Sequence, residues 1–156
     1  MSIHTATVRW AASPGKDYAK GQYSRAHSWH FDGGAVVRAS ASPTIVPAPW
    51  SDAAAVDPEE AFVASLASCH MLFFLDFARR AGAVVSAYED AADAVMGKGE
   101  DGKVRITKVT LRPRIAFADE APDAAVLDGL HHQAHEACFI ANSVTCEVVV
   151  EGNPFN

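Results

Sequence analysis

The stretch Asp57–Gly82, DPEEAFVASLASCHMLFFLDFARRAG, decides the fold. It predicts one long helix. Asp57 is an N-cap, Pro58 suits the first helical position, and Glu60 falls where a capping box wants an acid. Arg79 and Arg80 complement the last turn, and Gly82 supplies a C-terminal stop. Between Ala61 and Leu75 there is no charge, and the polar side chains are Ser65, Ser68, Cys69 and His70. A helix apolar all round is a buried one. The run is too short and too rich in serine for a membrane span, which wants about 20 apolar residues. The chain is therefore expected to wrap this helix, with Cys69 at its middle.

Working outward, the 156 residues suit a single domain, 1–156, with volume for a real core. The hydrophobic content of 49% is ordinary for a globular protein. The formal net charge of -6, with no basic run, argues against nucleic acid as a partner. MSIHTATVRW lacks a charged n-region and an apolar h-region, so a cytoplasmic protein is expected. Three cysteines are too few and too odd for a secreted disulfide framework.

Upstream of the helix the pattern is β. Residues 5–10 alternate as a half-buried strand. Residues 24–31, SRAHSWHF, form a second strand candidate with Arg25, His27 and Trp29 on one face. Asp32-Gly33-Gly34 is a tight turn, and residues 35–41 return as a third strand. Residues 42–56 hold Pro43, Pro47, Pro49 and Trp50, an ordered loop leading into the helix.

Downstream, residues 84–96 are helix or strand by composition. Pairing with 103–117 across the GKGEDG turn at 97–102 favours strand. The apolar phase slips between Val104/Ile106 and Val109/Leu111, which predicts a bulge near Thr107-Lys108. Pro113 requires an outward edge or an irregularity. Residues 123–141 predict a second helix with Ala125, Val126, Leu130, Ala134, Ala137 and Cys138 on its apolar face. Residues 144–151 form a last strand, ended by Gly152-Asn153-Pro154, with Val144 and Cys146 on one side. The order β-β-β-α-β-β-α-β defines an antiparallel α+β domain.

Cys69 has two readings. Cysteine is often a small buried hydrophobe, and apolar burial raises its pKa and makes it inert. A reactive Cys69 needs a nearby cation. Arg25, Arg38 and His27 are candidates, and His70 is adjacent. Cys138 can partner it if the two helices pack side by side. His131, His132 and His135 have helix-face spacing for a metal, but no third ligand is placed, so no metal is expected. Trp29 and Trp50 are core or interface residues, or a substrate wall.

DPEEAFVASLASC resembles the N-P-E-[EQ]-x(8)-C stretch that opens the central helix of the OsmC/Ohr family of thiol-dependent peroxidases. HEACFIANSV resembles that family's second-cysteine stretch, H-x-x-C-P-x-S-N, and SRAHSWHFDGG more weakly resembles its arginine-bearing strand. The resemblance implies an OsmC-like fold in an intertwined homodimer. It implies a cysteine-based peroxidase that reduces organic hydroperoxides. Cys69 would form the sulfenic acid, and Cys138 would resolve it to a Cys69–Cys138 disulfide, leaving Cys146 reduced. Arg25, rather than Arg38, would stabilise the thiolate, and Glu59 would hold Arg25. The reductant would be a dithiol, in one branch a lipoyl group on a protein, with no cofactor and no membrane involved.

Three features depart from the family pattern: Phe139 follows Cys138 where proline is usual, His70 follows Cys69, and the 43–56 loop carries Trp50. His27, His70 and Trp50 are thus candidates for the substrate pocket. Along a continuous helix Glu59 lies about 15 Å from Cys69, so a bridging arginine, a bent first turn or a second subunit is needed. A different class of function, a non-catalytic ligand-binding member of the fold with structural cysteines, fits the same residues.

Overall fold

The computed structural model describes residues 1–152; the expected stop of the last strand at Asn153-Pro154 lies outside the described residues. The chain divides into two compact units, Met1–Ala61 and Phe62–Asn156.

In the first unit, β1 (Ala6–Arg9), β2 (His27–Phe31) and β3 (Val36–Ala39) form an antiparallel meander in that order. Val8 faces Trp29, and Trp29 faces Val37. The Asp32-Gly33-Gly34 turn closes through Gly34 N–H to Phe31 O at 3.0 Å. Gly34 has φ +86°, which a side chain would resist. β1 was expected to be half-buried, but within this unit it is exposed along its whole length. The proline-rich arm returns to the end of β3, where Ala39 bridges Val56 and Ser40 N–H donates to Val56 O at 3.0 Å. That contact delivers Asp57 to the start of the helix.

The helix α1 spans Pro58–Arg80 and runs unbroken across the unit boundary. Its capping box forms as the sequence requires. Glu60 N–H donates to Asp57 Oδ1 at 2.7 Å, and Asp57 N–H donates to Glu60 Oε2 at 3.0 Å. At the other end Gly82 adopts φ +84°, and Ala83 N–H reaches back to Ala78 O. Length and composition alone would let α1 cross a membrane, contrary to the sequence expectation. However, one stripe of it, Leu66, His70, Phe74 and Ala78, is built into the protein. The opposite side, with Ala64, Ser65, Ser68 and Leu72, is exposed, so burial all round does not hold within one chain.

The two strands expected after α1 are four. β4 (Val85–Asp90) pairs antiparallel with β7 (Pro113–Phe117), and β5 (Asp93–Lys98) pairs antiparallel with β6 (Val104–Leu111). Each arm of the hairpin breaks once, at residues 91–92 and at Arg112. Arg112 N–H donates to Asp90 Oδ1 at 2.6 Å, while its guanidinium binds Asp93 and Glu151. Pro113 therefore sits at an irregularity, where it needs no N–H. The bulge is at Thr107, between the pairs Val95–Lys108 and Met96–Ile106. Gly97 makes room for it, since a Cβ there would come within 3.2 Å of the Thr107 side chain.

α2 spans Ala124–Ala137, N-capped by Asp123, whose carboxylate accepts from Val126 N–H at 2.9 Å. Its buried face is Leu127, Leu130, Ala134 and Cys138. Val126, assigned to that face from sequence, is exposed, and so is Ala125. The last strand, β8 (Glu147–Val150), is shorter than expected and pairs parallel with β6. That pairing is a departure from a purely antiparallel fold. Val144, Cys146, Val148 and Val150 pack on one side, as the period-two spacing requires.

Candidate redox site

α1 brings Cys69 to the point where α2 ends. α2 stops at Ala137, and Cys138 leaves the helical conformation with φ -65° and ψ 111°. A 3-10 turn, Ala141–Ser143, follows at once. It aims Ala141 N–H at the Cys138 sulfur, 3.3 Å away. Cys138 is fully buried, while Cys69 is half-buried. Cys69 lies close enough to Cys138 to act on its thiol. Burial first, and the neighbouring Cys69 second, push the Cys138 thiol up to about 11. At neutral pH Cys138 is thus a thiol. All three cysteines are free, and burial also raises Cys146, which packs among Leu66, Val109 and Leu111.

Two neighbours of this pair depart from the pattern quoted above. Phe139, where proline was the usual residue, packs edge-on against Phe73 with centroids 5.0 Å apart, tying the end of α2 to α1. His70 belongs to the buried stripe of α1 and bonds to His131, 61 residues along the chain.

The candidates in the first unit are described by themselves. Arg25 lies just before β2 rather than on it. Its guanidinium donates to Gly21 O at 2.8 Å and Tyr23 O at 2.6 Å, and lies 3.7 Å over the Tyr23 ring. Gly21 permits this by turning the chain at φ +73°. Arg25 N–H also donates to Trp50 O at 2.8 Å, and Lys16 sits over the Trp50 ring. Glu59 keeps one carboxylate oxygen, Oε2, buried without a partner. No ion pair joins Arg25 to Glu59 among the described residues. His27 has both ring nitrogens occupied, by Arg25 O at 2.8 Å and by Trp29 Nε1–H at 3.0 Å. That is the hydrogen-bonding pattern of a structural histidine. Arg38 pairs with Asp52 and lowers that carboxylate's pKa.

Among the described residues no group of three or more His, Cys, Asp or Glu is placed to hold a metal. His131, His132 and His135 border an open depression with Asp128, but their nitrogens do not converge. Sequence reasoning weighed His131 against its helix neighbours and missed its partner on α1. The available signal was His70 itself, an imidazole in a stripe otherwise filled by Leu66, Phe74 and Ala78.

A long helix carrying one thiol, a second helix ending on another, and strands in three small sheets define an OsmC-type α+β protein. A family model described as OsmC-like protein matches residues 51–152, and the chain belongs to that family. Its fold superposes with a TM-score of 0.96 on an OsmC-like protein of unknown function from Vibrio cholerae. The two are 51% identical, over 98% of this chain and 100% of that one. The organic hydroperoxide resistance protein OhrB of Bacillus subtilis shares the fold at TM-score 0.67 and 21% identity, covering 99% and 98%. An organic hydroperoxide resistance protein from Elizabethkingia anophelis does so at 0.68 and 16%, covering 99% and 98%. No curated protein matches the chain.

Proposed function

We propose that the chain is a thiol-dependent peroxidase that reduces organic hydroperoxides. The observation that carries this reading is the closeness of half-buried Cys69 on α1 to the buried Cys138 thiol at the end of α2, in an OsmC-family chain. The Cys69 thiolate attacks the peroxide O–O bond. One oxygen stays on sulfur as Cys69–SOH, and the other leaves, with a proton, as an alcohol. Cys138 then attacks the sulfenic sulfur, water leaves, and the Cys69–Cys138 disulfide forms. A dithiol reductant, such as a lipoyl-bearing protein, restores both thiols. The division of labour follows from burial: Cys138 stays protonated and waits, while half-buried Cys69 meets substrate.

In this reading Arg25 leaves its stack on Tyr23 to serve the thiolate, and the unpartnered Glu59 Oε2 receives it. The exposed side of α1 packs against a second copy in a homodimer, and the protein works in the reducing cytoplasm. Thiol titration before and after one equivalent of cumene hydroperoxide tests the core claim. Two thiols should be lost, with mass mapping placing the bridge at Cys69–Cys138. Retention of all three thiols, or a bridge through Cys146, overturns it. Arg25→Ala should slow turnover with dihydrolipoamide, and Arg38→Ala should not.

One observation favours a second reading, a ligand-binding protein with structural cysteines. A mostly apolar cavity lies between β7 and α2, lined by Pro113, Ile115, Phe117, Leu127, Asp128 and His131. Peroxide consumption with a dithiol present separates the two.

A further inference from the structure

α1 and α2 share a second polar pair beside the thiols. His70 Nε2 lies 3.1 Å from His131 Nδ1, with the rings 8° from parallel and their centroids 5.4 Å apart. The His131 ring also stacks on Phe74, at 4.5 Å and 26°. His70 and Phe74 are one turn apart on α1, so the His131 ring is held between them. A ring gripped in that way fixes where α2 lies along α1. Cys138 lies two turns beyond His131, and Cys69 adjoins His70. The approach of one sulfur to the other therefore depends on where that ring sits.

An apolar side chain would fill the His70 position at lower cost. His70 is 1% exposed, and its Nδ1 is buried without a partner. Proton counting shows what the imidazoles add. With one proton between the rings, either His70 Nε2–H or His131 Nδ1–H donates, and the tie holds. With both nitrogens protonated, N–H meets N–H and the tie opens.

We propose that His70 and His131 are positioning residues for the thiol pair: their bond sets the register of α2 on α1 in which Cys138 reaches Cys69, and a second proton releases it. This rests on the reading that those two cysteines form the disulfide. The ionisable groups facing the pair are few. α2 contributes His135 and Asp128, α1 contributes none in its buried stripe, and β4 brings Tyr88 behind Phe74, with Asp90 beside Tyr88. Burial lowers His70 to about 4, helped by His131 and His135, and lowers His131 against the pull of Asp128. The tie is thus closed at neutral pH and opens in acid.

The test is the equilibrium constant of the Cys69–Cys138 disulfide against the dithiothreitol couple, with a selenol catalyst, from pH 4 to 7.5. While both cysteines are thiols, both couples exchange two electrons and two protons and the constant is flat; a Cys69 thiolate would make it rise towards acid, so a fall towards pH 4 reports a separate group. The full-length wild type should hold a constant value above about pH 6 and lose about tenfold towards pH 4. His131→Phe keeps a ring against Phe74 but removes the bond, and His70→Leu keeps apolar filling. Each should lower the neutral-pH constant about tenfold and flatten the profile. A flat wild-type profile overturns the proposal, and this measurement needs no variant to fold. So do natively folded variants whose constants stay within twofold of wild type, and so does a wild type that never closes the bridge. Peroxide does not enter: a chain that closes the bridge with this profile but ignores hydroperoxide sinks the peroxidase reading and leaves this one standing.

Discussion

The second unit contains two different cores on one helix. The far half of α1 carries Phe74 and Ala78 into a cluster with Ile115, Leu127, Leu130 and Ala134, edged by Phe73, Phe77, Tyr88 and Phe117. The near half carries Leu66 into a smaller cluster with Val109 and Leu111, edged by Phe62, Ile106, Val148 and Val150. The first is an aromatic junction of two helices and a strand pair, and the second is an aliphatic strip on a sheet. Cys69 and His70 lie on α1 between Leu66 and Phe74, where one core gives way to the other. Reactive and ionisable groups are costly inside either core, and the junction is where α1 can hold them.

The comparison can be broken from its stronger side. Phe74→Ala removes a fully buried ring that stacks on His131 and meets Tyr88, and should cost about 3–5 kcal/mol in denaturant unfolding. Leu66→Ala should cost less, towards the lower end of about 2–5 kcal/mol, because β-sheet side chains can settle into the gap. Equal losses would mean that the two cores are one. Next in size is the junction itself. His70 is lowered in the folded state, so the unfolded chain takes up a proton first as pH falls. Stability is present above pH 6.5 and is lost as pH drops towards 4. The loss should be on the order of 2–3 kcal/mol, and His70→Leu should remove that slope. Smaller still is the helix start, outside both cores: Asp57→Ala should cost about 1 kcal/mol, since it removes one half of the capping box. The smallest effect is expected at the strand breaks. Arg112→Met gives up exposed pairs to Asp93 and Glu151 worth about 0.2–1 kcal/mol each, and urea midpoints should barely move.

What was legible in the sequence was local. Asp57, Pro58, Glu60 and Gly82 announce the ends of α1 because each answers to the backbone within four residues. The Thr107 bulge was legible because a period-two pattern exposes any slip. The break at Arg112 was not, since it depends on Asp90, Asp93 and Glu151 converging from separate segments. Arg25 reads as a strand residue until the Gly21 turn folds its guanidinium back on Tyr23. His131 shows its neighbours at three and four residues in the sequence, while its real partner is on another helix. The adjacency of Cys69 and Cys138 was implied by family resemblance, and no spacing rule would have supplied it.

The parallel pairing of β6 with β8 has a kinetic consequence. Lys108 and Glu147 can meet only when a loop of about forty residues closes, and that entropy must be met before any ladder bond forms. The whole of α2 lies inside this loop. On a chain emerging from the ribosome, β8 appears only after β6 and α2 have been made. Until it docks, β6 exposes an edge bearing Val109 and Leu111, which invites pairing with another chain. The open edge of β6 thus waits for a segment made only after the whole of α2.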